Sequence, residues 1–176
     1  MVSLPPQRHA EKNPLTLFMD VDDLLLHTFI CDENFGYIAN PAAKDPEHEF
    51  FLEEIRQPVL VYLRDHMDDF LNYLRDSKPH IETILYSTAQ PAYIDKLLRI
   101  VDPGREVFDH ALYQNACYVF KKDDEDINML LKDISRFKNR DMKRAVLADP
   151  SSLHFLLTPD NGFPVVPYKA EMDTKG

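Results

Sequence analysis

The stretch LTLFMDVDDLLLH, residues 15–27, decides how this chain is read. Leu15 to Met19 (LTLFM) has the pattern of a short, continuously apolar strand covered on both faces, and it stops abruptly at Asp20. Asp20 and Asp22 are separated by one residue, so on a continuing strand they would share a face. Two neighbouring carboxylates at a strand end repel each other and are costly to desolvate unless a cation joins them. A divalent metal meets that need, and Mg²⁺ prefers oxygen ligands. Such a pair can also divide labour, one carboxylate attacking phosphorus and the other protonating the leaving oxygen. On residue types alone, two solvated acids at a turn is the commoner reading, because acids are frequent in such places.

Working outward, Pro5, Pro6 and Pro14 mark residues 1–14 as a flexible lead. Residues 32–47 (DENFGYIANPAAKDPE) are rich in turn formers and read as a loop. His48 to Leu63 reads as a β-hairpin insertion, with VLVYL as its second strand and a turn near Arg56 to Pro58. From Asp65, Met67, Phe70, Leu71 and Leu74 recur at helical spacing. Thr83 to Tyr86 (TILY) is a second buried strand ending at Ser87, followed by a helix from Ala92 to Val101 that Asp102-Pro103-Gly104 stops. A strand is expected within Val107 to Leu112, an acidic loop at Asp123 to Asp126, and a third apolar strand at Ala145 to Ala148 that ends at Asp149. Three apolar strands thus end in polar groups, at Asp20, Ser87 and Asp149. In a doubly wound parallel α/β sheet the carboxyl ends of the strands are where sites assemble, so these residues are taken together.

The 176 residues suit one domain with a real core, and 44% hydrophobic with 28% charged residues is ordinary for a globular chain. The net charge of −10, from 30 acidic and 20 basic residues, argues against nucleic-acid binding, which needs a basic face. Cys31 and Cys117 are too few for a disulfide scaffold or a structural zinc site and are expected to be reduced. No apolar run approaches the ~20 residues that span a bilayer. The opening MVSLPPQRHAEKNP lacks the apolar stretch of a secretory signal, and Arg8 and Lys12 make a poor transit peptide. An intracellular protein without a transmembrane segment is therefore expected.

LFMDVDDLLLH resembles the first motif of the haloacid dehalogenase superfamily, and more closely that of its FCP/SCP phosphatases (NLI-interacting-factor-like), which dephosphorylate the C-terminal tail of RNA polymerase II and other phosphoproteins. VYLRDHMDDFL (61–71) resembles the segment leading from that family's insertion into its next helix. ILYSTAQPAYIDKLLRIVDP (84–103) is similar to its second-motif region, and KDISRF (132–137) to its third motif. LADPSSLHFLLTPDNGFPVVPY (147–168) resembles the fourth motif and the proline-rich stretch after it. The resemblance runs from Leu15 to Tyr168 and implies a single HAD-like domain over 15–168, with 169–176 as a tail. It implies a Mg²⁺-dependent phosphatase in which Asp20 forms an aspartyl-phosphate. Asp22 would protonate the leaving group and then activate water, while Ser87 and Lys132 would bind the phosphoryl oxygens. The metal would be held by Asp20, the Asp22 carbonyl and Asp149. The implied partner is a phosphorylated protein or peptide, in the nucleus or cytoplasm.

Three positions depart from the family. Leu24 and Ser87 stand where threonine is usual. Pro150 stands where Asn or Asp contributes to the metal, and proline offers no side-chain ligand. Ser87 is also reminiscent of the related receptor domain of the mitochondrial presequence translocase, which keeps the fold while often losing the aspartates. A peptide-binding module of that kind, in mitochondria, is the alternative to the enzyme; a small-molecule phosphatase is a third option that would need the insertion to close over the site. His27, His66 and His154 lie beside apolar segments and read as structural histidines.

Overall fold

The computed structural model describes residues 3–31, 44–121 and 128–170; the acidic segment Asp123 to Asp126 and most of the 32–47 loop lie outside them. Its centre is a five-stranded parallel sheet built from β1 (Leu15–Met19), β5 (Ile81–Tyr86), β6 (His110–Leu112), β9 (Ala145–Asp149) and β10 (Gly162–Pro164), in the order β10-β9-β1-β5-β6. The chain moves outward from β1 to β5 and β6, then returns to the other side of β1 for β9 and β10. That reversal puts the switch point of a doubly wound α/β sheet between β1 and β9, the place where such sheets form their sites. The expected fold class is the one observed.

Both faces of the sheet are covered, which is why its strands are apolar on consecutive residues. Met19, Leu85 and Ala148 face a core completed by α1 (Met67–Asp76) and α2 (Pro91–Val101). Phe18, Ile84, Tyr86 and Leu147 face the opposite core with Leu112, Ile134 and Phe137. α1 buries Met67, Leu71 and Leu74, and α2 buries Ile94, Leu97 and Val101, each set falling on one helical face. Burying such a side chain is worth about 1.5–3 kcal/mol. Pro91 opens α2 at a position where its missing N–H is no loss. Asp102 closes the helix, and its carboxylate accepts from the amides of Glu106 at 2.8 Å and Phe108 at 3.0 Å, fixing the turn toward β6.

The insertion is larger than a hairpin. β3 (His48–Leu52) and β4 (Gln57–Leu63) form the expected pair, and β2 (Leu26–Ile30) adds to the other edge of β4, giving an antiparallel sheet β2-β4-β3. The connecting turn occupies residues 53–56, so Pro58 lies inside β4 instead of in the turn. Proline is tolerated there because it is near the strand's first residue. β7 (Tyr118–Lys121) and β8 (Asn128–Leu131) make a separate two-stranded ribbon. The lead before β1 packs onto the domain: Leu4 is buried, and its carbonyl accepts from Asn139 Nδ2 at 2.8 Å.

At the amino ends of the strands, opposite the switch point, Glu82 of β5 is buried against Arg140. The guanidinium donates to both carboxylate oxygens at 2.6 Å, and Thr16 and Gln7 add hydrogen bonds. Arg140→Ala would leave the Glu82 carboxylate buried and uncompensated, at a cost of about 3–5 kcal/mol. Urea unfolding of the variant is therefore expected to show a markedly lower midpoint with little change in slope.

Candidate active site

The register of the central sheet assembles the site. Met19 pairs with Ala148 on one side and Leu85 on the other, so Asp20 and Asp149 emerge level at the carboxyl edge, with Ser87 one residue beyond Tyr86 at the end of β5. Asp20 follows the last residue of β1, and its amide donates to Ala148 O at 3.2 Å. Beyond Asp22 the chain turns back into β2 through Asp23 at φ 56°, a left-handed conformation that Asp tolerates better than most residues.

Lys132, just past β8, is fully buried, and its ammonium donates at 2.5 Å to both Asp20 Oδ2 and Asp149 Oδ2. The ring of Tyr86 lies 6.0 Å from Nζ, within cation–π range. The remaining oxygens are held by the backbone: Val21 N donates to Asp20 Oδ1 and Ser151 N to Asp149 Oδ1, each at 2.8 Å. Ser87 is buried, and its Oγ accepts from Ala89 N at 3.1 Å, which leaves its hydroxyl hydrogen free to donate. The sequence-selected residues Asp20, Lys132 and Asp149 are thus in direct contact, with Ser87 on the adjoining strand end.

Asp22 is held separately. Tyr93 of α2 donates its hydroxyl to Asp22 Oδ1 at 2.6 Å, and Thr28 of β2 lies 3.4 Å from the same oxygen and 2.7 Å from the Tyr93 hydroxyl. The sequence marks neither Tyr93, which lies within the expected helix, nor Thr28, whose strand β2 has no signal of its own. His154 is also drawn in, its Nδ1 2.8 Å from Asp149 Oδ2. His27 contacts Asp23 at 2.6 Å, outside the Asp20 cluster, while His66 is exposed at the start of α1.

The electrostatics follow from one ammonium serving two buried carboxylates. Burial pushes Asp20 above the ordinary carboxylate range; Lys132 opposes this, and the nearby Asp149 adds to it. Asp149 is also buried, but His154 and Lys132 together outweigh that and hold it below its ordinary value. Burial alone would depress Lys132, yet the two carboxylates keep it above its ordinary value and charged. Asp22 is pushed up to about 6, first by burial and then by repulsion from Asp20 and Asp23, against the Tyr93 hydrogen bond.

A divalent cation fits this donor set. Asp20, Asp149 and His154 each offer a ligand atom, and these atoms lie within 4.8 Å of one another. Two carboxylates and one ammonium leave the cluster with a net negative charge, which repels a phosphate dianion; a dication reverses the sign. Pro150 supplies no side-chain donor.

Beside the site, a cleft of about 570 Å³ runs from Asp22 and Tyr93 between the insertion and the start of α2. Its rim residues Ile30 and Ile55 are exposed, so the insertion walls the cleft without closing it.

Comparison with known proteins gives the family and the fold. A family model for NLI interacting factor-like phosphatases matches residues 15–175. The chain belongs to that family. It is similar to CTD small phosphatase-like protein 2 of Dictyostelium discoideum, at 29% identity over 93% of this chain and 25% of that protein. It is also similar to mitochondrial import inner membrane translocase subunit TIM50 of Candida glabrata, at 25% identity over 97% of this chain and 28% of that one. The solved structure of Fcp1, an RNA polymerase II CTD phosphatase, matches in fold with a TM-score of 0.65 at 20% identity, over 92% of this chain and 44% of the other. The chain therefore spans less than half the length of each of these relatives. No described helix is long and apolar enough to cross a membrane.

The raised Asp22 has a consequence for stability. Its folded value of about 6 exceeds the unfolded value of about 3.9, so the folded state binds more protons between these values. Asp22 therefore destabilises the fold progressively as pH rises from 4 to 6. Asp22→Asn, whose amide oxygen still accepts from Tyr93, is expected to be more stable than the wild type at pH 7. The advantage should vanish below pH 4, which thermal unfolding at the two pH values measures.

Proposed function

We propose that this chain hydrolyses phosphomonoesters through a covalent intermediate on Asp20, with protein phosphoserine and phosphothreonine as substrates. The observation that carries this reading is the arrangement of two carboxylates one residue apart with opposite fittings. Asp20 is fixed by Lys132 and the Val21 amide. Asp22 is pushed up to about 6, near the pH where one group can give and then take a proton.

An oxygen of Asp20 attacks phosphorus, the bond to the leaving serine or threonine oxygen breaks, and Asp22 gives that oxygen its proton. Asp22, now ionised, takes a proton from water as the water attacks the phosphorus of the aspartyl-phosphate. Inorganic phosphate leaves and Asp20 is regenerated. Lys132 and the Ser87 hydroxyl bind the phosphoryl oxygens, where charge neutralisation supplies most of the catalysis. Asp20, the Asp22 carbonyl and Asp149 would hold a divalent cation, Mg²⁺ by family resemblance, which when bound neutralises the charge on the transferring group.

The exposed rim of the cleft supports a macromolecular substrate over a small metabolite. Residues 15–168 are proposed as one catalytic domain, acting in the nucleus or cytoplasm as the CTD phosphatase relatives suggest. The second reading is a peptide-binding module in mitochondria, favoured by Pro150 and by the similarity to TIM50.

Hydrolysis of a chromogenic aryl phosphate, with and without added divalent metal, separates the two. Metal-dependent turnover that disappears in Asp20→Asn is expected. No turnover above that variant across pH ~5 to 8, in folded protein, would favour the binding module. Asp22→Asn is expected to lose about 10²–10⁴-fold on alkyl phosphates such as phosphoserine peptides. Its loss on aryl phosphates should be smaller, because an aryl leaving group needs less proton assistance, and comparing the two substrate classes in initial-rate assays measures this.

A further inference from the structure

We infer that His154 is a metal ligand of this site, taking the coordination place that Pro150 leaves without a side-chain donor. The resulting mixed carboxylate–imidazole centre would favour Mn²⁺, or a borderline divalent cation such as Fe²⁺ or Zn²⁺, over Mg²⁺. The inference rests on the metal site of the proposed function but not on turnover.

Four observations carry it. First, His154 belongs to the compact group with Asp20 and Asp149 whose ligand atoms lie within 4.8 Å of one another. With metal–ligand bonds of about 2.1 Å, neighbouring donors sit about 3.0 Å apart and opposite donors about 4.2 Å apart. The 2.8 Å from His154 Nδ1 to Asp149 Oδ2 matches the edge of such a polyhedron as well as it matches a hydrogen bond.

Second, Asp149 does not need His154 for satisfaction. Lys132 already donates to its Oδ2 and Ser151 N to its Oδ1.

Third, the turn that carries His154 is oriented against its own hydropathy. Ser152–Phe155 is a short 3₁₀ turn in which Leu153 is 49% exposed, and Leu156 just after it is 60% exposed. The His154 side chain is only 14% exposed. Leucines face solvent while the imidazole faces the strand ends, the reverse of what burial alone would select. Phe155 anchors the turn: a Cβ on Gly162 of β10 would come within 2.5 Å of the Phe155 ring, so the close packing needs glycine there.

Fourth, the donor chemistry discriminates between metals. Carboxylates suit Mg²⁺ and Mn²⁺ alike, whereas an imidazole nitrogen is a poor partner for Mg²⁺, an acceptable one for Mn²⁺ and a good one for the later first-row ions. A site with no side-chain donor at position 150 and a nitrogen donor at position 154 shifts its preference accordingly.

The test is to add Mn²⁺ to the whole chain and record electron spin-echo envelope modulation, which detects a directly bound ¹⁴N. Mn²⁺ and Mg²⁺ affinities are then titrated for wild type, His154→Ala and Pro150→Asn. Wild type is expected to show nitrogen modulation and to bind Mn²⁺ more tightly than Mg²⁺. In His154→Ala the modulation should vanish and the Mn²⁺ preference collapse, while Pro150→Asn should tighten Mg²⁺. Bound Mn²⁺ without nitrogen modulation in wild type, an unchanged Mn²⁺ to Mg²⁺ ratio in His154→Ala, or no Mn²⁺ binding at all would each overturn the inference. The wild-type spectrum requires no variant to fold. Mg²⁺-dependent hydrolysis without nitrogen coupling would sink this inference and leave the phosphatase reading intact. Nitrogen coupling without hydrolysis would do the reverse.

Discussion

The ammonium of Lys132, with no solvent exposure, lies between the carboxylates of Asp20 and Asp149 at 2.5 Å from each. Burying any of these three groups alone would cost several kcal/mol, and together they remain short of one positive charge. The arrangement fixes the ends of β1 and β9 side by side and gathers the chain after β8 beneath the sheet edge. It also leaves a local field that a divalent cation would complete. Two carboxylates with different environments thus share this edge, Asp20 raised and Asp149 lowered from their ordinary values, and such perturbed groups concentrate at functional sites.

The opposite edge of the same sheet shows the contrast. Glu82 and Arg140 form a bidentate pair whose charges match one to one, with Thr16 and Gln7 completing the hydrogen bonding. That pair is closed and needs nothing further, whereas the Lys132 cluster has one cation for two anions. Two buried charge clusters in one domain thus play different parts, and the count of charges distinguishes them.

Much of this was legible in the sequence because it depends on local pattern. β1, β5 and β9 are short apolar runs that stop at Asp20, Ser87 and Asp149, so strand ends and polar residues could be read together. α1 and α2 announced themselves by spacing. β2 and β10 were not legible: β2 follows directly on the first motif with no turn signal separating it, and β10 is three residues containing a proline within a stretch that reads as loop. Tyr93 and Thr28 were missed for a different reason. Their partner Asp22 is 71 residues away from Tyr93, and a tyrosine on the apolar side of a helix gives no sign that its hydroxyl is engaged. His154 was set aside because a histidine among leucines looks structural; only the fold shows that the leucines face outward and the histidine inward. Pro150, by contrast, stood out at once because proline cannot offer a side-chain donor.

Trapping the intermediate shows whether Asp20 carries the phosphoryl group. Asp22→Asn should slow hydrolysis of the intermediate while sparing its formation from an aryl phosphate, so brief incubation with an aryl phosphate and rapid acid quench should leave one phosphoryl group on Asp20, located by peptide mass spectrometry. The label is expected on Asp20 and is expected to be absent when Asp20 is also changed to Asn. A label on another residue, or phosphate released by the wild type with no label ever detected on Asp20, would contradict it.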